Sequence, residues 1–293
     1  MSGPAELAVA TGVLVDAALK STVVVGLGWG AAGLARRGSA AHRHAIWAAT
    51  FAALPLLPVA ATLRGPEVAL DLPWLLPLWA LGSLFFVAPL LRGLWALRTL
   101  RRSARPHPGV PGVLHTDQLS SPVTWGLFRP VIVLPEAAAR WPEAYRAAAL
   151  AHERAHVRRH DWAVHIATWA ICTLFWFHPG VWWARRALAR EAEHAADDLV
   201  LADGVRPSTY AELLLSHTPR AAVRTALGVA QSPVAGRVRA VLDLRPRSAT
   251  RWPAALLALA AFSLLVPSLG EAALWSVPEE ALACDTAPQG LLP

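Results

Sequence analysis

The sequence predicts a mainly α-helical, polytopic membrane protein in which a helical transmembrane bundle carries a cytoplasmic α+β domain. Of the 293 residues, 55% are hydrophobic and only 16% are charged, and the mean hydropathy of +0.40 is high for a soluble domain. The apolar residues are concentrated in runs that are long enough to cross about 30 Å of hydrocarbon. Between these runs, residues 110–135 combine Val, Ile and Thr with Pro and Gly, which is typical of short strands and turns.

Four apolar runs are predicted to be transmembrane helices because of their length and their few charges. They cover about residues 7–35, 45–63, 74–97 and 252–275. The N-terminus has no basic region of the kind that precedes a signal peptide, so we expect the first run to remain a membrane helix. Within that run Asp16 and Lys20 stand four residues apart, and pairing with each other would reduce the cost of placing them in lipid.

The distribution of arginine predicts the orientation of these helices. Arginines follow the first and third runs and precede the last, whereas residues 64–73 and the tail 276–293 are neutral to acidic. The positive-inside rule then places both termini outside the cytoplasmic (inner) membrane and residues 98–251 in the cytoplasm. The formal net charge of +7 therefore comes mostly from arginines that set the orientation of the helices and face the anionic lipid bilayer. We expect no direct binding of nucleic acid, because no nucleic-acid motif accompanies the arginines.

The predicted cytoplasmic domain, residues 98–251, begins with a small sheet, with strands near 112–116, 122–126 and 131–134. An exposed edge of this sheet would accept an extended peptide as an added strand, or the sheet would only brace the neighbouring helix. Farther along, residues 160–186 are apolar and are broken at His178-Pro179-Gly180. Because arginines follow the break, this segment is predicted to dip into the membrane and return as a helical hairpin.

The string His152-Glu153-Arg154-Ala155-His156 lies in a segment, 142–162, that reads as one continuous helix. Residues four apart share a helix face, so the two imidazoles project together and are able to hold one Zn²⁺. Glu153 would face the coordination position that is left for a water and would take the proton of that water as it attacks a carbonyl. This pattern predicts hydrolysis of peptide bonds.

A third zinc ligand is predicted in the acidic segment that follows the hairpin. Glu193 and Asp197 are four residues apart on a predicted helix, and Glu193 would complete a set of two histidines and one glutamate. Asp197 would accept a hydrogen bond from the free N–H of a ligating histidine. His194 and Tyr210 are candidates for the donor that stabilises the oxyanion.

The chain contains the segments SPVTWGLFRPVIVLP, HERAHVRRHDW and FWFHPGVWWARRALAREAEHAADD. Together they resemble the integral-membrane gluzincin zinc metallopeptidases of the BlaR/MecR sensor-transducer family, closely over about residues 120–200. This resemblance implies that His152, His156 and Glu193 bind zinc, that Glu153 is the general base and that Asp197 orients a ligand. It also implies a cytoplasmic gluzincin domain and, for the best-known members, signalling that ends in the loss of a transcriptional repressor.

The antibiotic sensors of that family carry a large external penicillin-binding domain after their last transmembrane helix. This chain has only residues 276–293 after the predicted final helix, and they contain no serine acylation motif. We therefore expect no covalent β-lactam sensing by this chain itself.

The spacing of Gly26 and Gly30 in the first helix is typical of close helix–helix contact. It suits a homodimer and a contact within the transmembrane bundle equally well.

The sequence thus predicts a membrane-embedded zinc endopeptidase that acts in signal transduction by cleaving itself or a transcriptional repressor. The segment 245–251 has the composition of an exposed linker, and it is either a site of self-cleavage or only a basic anchor of the last helix. One alternative is a housekeeping protease of the prenyl-protein or quality-control gluzincin type, against which the short separation between His156 and Glu193 argues. A second is a non-catalytic membrane scaffold, against which Glu153 argues, since a structural metal site needs no general base.

Overall fold

The computed structural model describes residues 3–66, 72–216 and 234–243. This part of the chain is mostly helical with one small sheet, so the predicted fold class is confirmed. Its helices are α1 Pro4–Leu34, α2 Ala40–Ala53, α3 Leu56–Arg64, α4 Leu75–Ser103, α5 Glu143–Arg159, α6 Asp161–Leu174, α7 Pro179–Ala202, α8 Pro207–Ser216 and α9 Val234–Leu242, with short 3₁₀ turns after α1 and β4. Its strands are β1 Arg105–Pro106, β2 Val113–Thr116, β3 Val123–Trp125 and β4 Val131–Pro135.

Three helical segments among the described residues are long and apolar enough to cross a membrane: Glu6–Arg37, Ala40–Arg64 and Leu75–Ser103. The second of them is interrupted between α2 and α3, where Pro55 has no backbone N–H to continue the helical hydrogen bonds. In α1 the ammonium of Lys20 lies 2.9 Å from Asp16 Oδ1, which is the predicted mutual pair. The predicted final helix 252–275, the tail 276–293 and the linker 245–251 lie outside the described residues.

Helix α7 is held by the membrane bundle along much of its length. Its buried residues Val181 and Leu188 belong to one apolar core with Trp47 and Phe51 of α2. An ion pair, 2.8 Å between Arg43 of α2 and Glu191 of α7, adds a polar contact at the same junction. The helix that carries Glu193 is therefore fixed relative to the first and second membrane segments.

Helices α6 and α7 run in opposite directions and join at residues 175–178. The contacts between them show the antiparallel arrangement. Trp169 lies beside Trp182, and His165, earlier on α6, lies 3.4 Å from the guanidinium of Arg185, later on α7. The return of the chain brings the far end of α7 next to α5. The predicted hairpin is thus present as a pair of helices, and its entry into the membrane stays a prediction.

The turn between α6 and α7 is docked on the third membrane helix, α4. Trp79 donates its indole N–H to the carbonyl of Leu174 at 2.8 Å, and Trp176 donates to the carbonyl of Trp79 at 3.2 Å. Gly82 has no room for a Cβ, because the ring of Trp176 occupies that space. Glycine is therefore required at this position for the close approach of the two elements.

The four strands form one sheet in the order β1-β2-β4-β3, in which β2 and β4 are parallel and the other pairs are antiparallel. The three predicted strands are confirmed, and β1, with two residues, is too short to leave a sequence pattern. β3 is an edge strand, paired on one side with β4 so that Thr124 lies opposite Ile132. On its other side no strand pairs with it among the described residues.

The prediction of one continuous helix over residues 142–162 is wrong. α5 ends at Arg159, and His160 takes a left-handed conformation with φ of 56° before α6 begins at Asp161. A left-handed residue at this position ends a helix by satisfying its last carbonyls, and here the N–H of His160 bonds to the carbonyl of Val157. The break changes the direction of the chain so that Asp161 faces the last turn of α5.

Candidate metal centre

His152, His156 and Glu193 form the one group of histidine, cysteine and carboxylate side chains that could hold a metal ion among the described residues. The Nε2 atoms of the two histidines, four residues apart on α5, are 3.1 Å from each other. From α7, Glu193 places Oε2 at 3.6 Å from His152 Nε2 and Oε1 at 3.7 Å from His156 Nε2. The helix pairing described above therefore brings the three predicted ligands together.

These distances fit a zinc ion. Ligand atoms at about 2.0–2.1 Å from a tetrahedral zinc are separated from each other by about 3.3–3.4 Å. The observed separations of 3.1, 3.6 and 3.7 Å bracket that value. Two imidazoles and one carboxylate are also a donor set that leaves a fourth position open, as catalytic zinc sites require.

Asp161 orients His156. Its Oδ2 lies 2.8 Å from His156 Nδ1 and also accepts a hydrogen bond from Arg159 Nε at 3.1 Å. The proton of the imidazole is thereby held on Nδ1, and the lone pair of Nε2 faces the cluster. Burial raises the pKa of Asp161, but the bond to His156 and the charge of Arg159 outweigh it and lower the pKa below its usual value.

His152 is oriented by a pair of buried residues. Tyr210 donates its hydroxyl proton to Asp197 Oδ1 at 2.7 Å and accepts from His152 Nδ1 at 2.9 Å, while Asp197 Oδ1 itself lies 3.3 Å from that nitrogen. Burial lowers the pKa of His152, but the carboxylates of Asp197 and Glu193 raise it to about 9. Asp197 therefore lies beside His152, one of the predicted ligands, and its role in orienting that histidine stays a prediction.

The two predicted oxyanion donors occupy different surroundings. The hydroxyl of Tyr210 is buried against the Nδ1 side of His152, on the opposite side of that ring from the cluster. His194 follows Glu193 on α7, and its buried Nδ1 has no hydrogen-bond partner among the described residues. A role for either residue in stabilising an oxyanion stays a prediction.

Arg237, on α9, is a member of the site that the sequence analysis missed. Its guanidinium binds Asp197 through two nitrogens, at 2.6 and 3.0 Å, and Glu193 Oε2 through a third at 2.9 Å. Burial raises the pKa of Glu193, but the charge of Arg237 and the two histidines lower it to about 2. Both carboxylates are therefore held ionised. No local pattern marks Arg237, because it lies forty residues from Asp197 along the chain.

Glu153, the predicted general base, is buried next to the cluster on α5 and is 7% exposed. Its Oε2 accepts a hydrogen bond of 2.6 Å from the hydroxyl of Thr124 on β3. Thr124 lies in the second predicted strand, and no sequence pattern predicted a role for it. Glu153 follows His152 on α5, and its carboxylate contacts the edge strand of the sheet.

Replacing Asp161 by Ala is expected to weaken zinc binding by roughly 10- to 100-fold, the usual cost of losing a group that orients a metal-binding histidine. A competition titration of the purified protein against a chromogenic zinc chelator measures this. Asp203→Ala is the matched control, because that aspartate forms an exposed ion pair with Arg158, 2.8 Å apart. An Asp161→Ala protein that binds zinc as tightly as the parent would show that Asp161 does not orient His156.

Comparison with known proteins gives two matches. The sequence profile described as BlaR1 peptidase M56 matches residues 68–241, a range that contains every residue of the site described above. The regulatory protein BlaR1 of Bacillus licheniformis is 29% identical over 102 residues. That alignment covers 34% of this chain and 17% of the relative, so this chain spans less than a fifth of the length of the relative it matches.

Proposed function

Because the chain belongs to the BlaR1 peptidase M56 family, we propose that it is a zinc-dependent endopeptidase that hydrolyses peptide bonds on the cytoplasmic side of the membrane. Family membership and the three apolar helical segments make it a membrane metallopeptidase of the signalling type. The identity of the metal, the roles of the site residues, the substrate and the side of the membrane are parts of the proposal.

The observation that carries the proposal is the convergence of His152, His156 and Glu193 beside the buried carboxylate of Glu153. A bound Zn²⁺ would polarise the scissile carbonyl and acidify the attacking water. Glu153 takes the proton of that water and delivers it to the leaving amine. The histidines direct Nδ1 toward Asp161, Tyr210 and Asp197, so the metal would bind through Nε2. Binding would displace the proton that the raised pKa of His152 keeps on its ring.

The edge of β3 is the proposed binding place for the substrate. Its backbone is paired only with β4 within the described part of the chain, and we infer that an extended peptide adds a strand on the other side. Helix α5, which carries both histidines and Glu153, packs against this strand and touches it through Thr124. A peptide bound there would pass next to the base.

A role in signalling is proposed from the membrane anchoring and from the relative, which is a regulatory protein. Basic residues on the segments that flank the site, including Arg101, Arg102 and Arg190, support its placement on the cytoplasmic face. The substrate is then a cytosolic protein, such as a transcriptional repressor, or the chain itself. A housekeeping protease would use the same chemistry and differs by cleaving many unrelated proteins.

The test compares cells that express the wild-type protein or Glu153→Gln at equal levels and identifies new protein N-termini by mass spectrometry. We expect a small set of cleavages that occur only with the wild type and lie in cytosolic proteins or in cytoplasmic segments of this chain. Wild-type-specific cleavages restricted to external proteins would contradict the proposed sidedness. Many unrelated cleavages would favour the housekeeping alternative.

A further inference from the structure

We propose that Thr124 is a positioning residue for Glu153: its hydroxyl holds one oxygen of the carboxylate and so directs the other oxygen toward the reacting water. The inference rests on the proposed function, in which Glu153 is the general base. It adds that one strand, β3, both forms the proposed substrate-binding edge of the sheet and orients the base.

The contact itself is short and involves a charge. Thr124 Oγ1 donates to Glu153 Oε2 at 2.6 Å, a distance typical of a hydroxyl bonded to an ionised carboxylate. Glu153 is buried, so this hydrogen bond replaces a water that the oxygen would otherwise need. With Oε2 held, rotation of the carboxylate is restricted and Oε1 is left to receive the proton.

The direction of the Thr124 side chain follows from the strand. Side chains alternate between the two faces of a strand, and Trp125 packs on the other face against Val131 and Val133. Thr124 therefore faces α5, where it meets Glu153. The same apolar group includes Leu97 and Leu100 of the third membrane helix, which anchor Trp125 and with it the register of the threonine.

The position of Thr124 in the sheet connects it with the substrate. Its backbone is paired with Ile132 on β4, and the opposite edge is the one proposed to receive the peptide. A peptide added to that edge is thereby aligned with the same residue that fixes the base. Orientation of this kind matters because a displacement of about 1 Å costs on the order of 100-fold in rate.

Replacement by Val removes the hydroxyl with little change in volume, and Val is as favourable as Thr in a strand. Thr124→Val should lower kcat for a quenched-fluorescent peptide by about 10- to 100-fold, with KM within about twofold and zinc content unchanged. Thr124→Ser keeps the donor and should stay within about threefold of the wild-type kcat. Thr116→Val is the control: its hydroxyl lies in the same sheet but contacts Gln118 and Asp117.

The peptide is the best substrate of the wild type in a quenched-fluorescent library, and proteins are assayed at full length with zinc bound. A wild-type kcat for Thr124→Val would overturn the inference. Equal losses for Thr124→Val and Thr124→Ser, or a rise in KM without a fall in kcat, would also overturn it, because strand packing or peptide binding would then be the cause. If Glu153→Gln remains fully active, the proposed function itself fails, which is a separate result.

Discussion

Replacing Glu153 by Gln is expected to lower kcat/KM by about 10³-fold or more, while the protein keeps its zinc. Gln has the same shape as Glu but cannot accept a proton, and general-base catalysis typically contributes about 10²- to 10⁴-fold. The amide oxygen of Gln still accepts the hydrogen bond from Thr124, so the local packing should persist. Cleavage of the library peptide and zinc content by mass spectrometry measure the two effects.

Glu143→Gln is the matched control, because that glutamate lies on the same helix, is exposed at its first turn and is far from the cluster. It should behave as the wild type. If Glu153→Gln loses both zinc and activity, Glu153 supports the metal site. If it keeps both zinc and full activity, Glu153 is not the general base.

Replacing Glu193 by Ala is expected to reduce bound zinc from about one per chain to a small fraction of that, with a matching loss of proteolysis. A ligand contributes directly to metal binding, so its loss should cost more than the roughly 10- to 100-fold that follows removal of an orienting group. Arg237 keeps its two bonds to Asp197 in this variant, so the protein is expected to fold.

Glu191→Ala tests the specificity of that result. Glu191 lies two residues earlier on α7, but its carboxylate binds Arg43 and takes no part in the cluster. We expect its zinc content to remain near one per chain. If Glu193→Ala retains zinc at the wild-type level, the assignment of the third ligand is wrong.

The parts of the site that the sequence predicted are those fixed by local helical geometry. His152 and His156 share a face because they are four residues apart, and the same spacing relates Glu193 to Asp197. The two pairs come together once α7 folds back along α6 and reaches α5. The antiparallel pairing of α6 and α7 provides that return.

The parts that the sequence did not predict depend on contacts between distant elements or on one unusual backbone conformation. Asp161 reaches His156 only because His160 adopts a left-handed backbone conformation. The sequence Arg158-Arg159-His160 contains no residue type that would predict such a conformation. Arg237 and Thr124 come from α9 and β3, and their side chains meet α7 and α5 only in the folded protein. Residues of these types are common at surfaces, so their spacing carried no signal.

X-ray absorption at the zinc edge of the purified full-length protein tests whether two histidines of α5 and a glutamate of α7 bind the catalytic zinc. We expect nitrogen and oxygen neighbours at about 2.0–2.1 Å, with the multiple-scattering pattern of two imidazoles and no sulfur. A sulfur neighbour at about 2.3 Å would contradict this expectation, since the ligands would then include one of the two cysteines of the chain and the zinc would lie elsewhere.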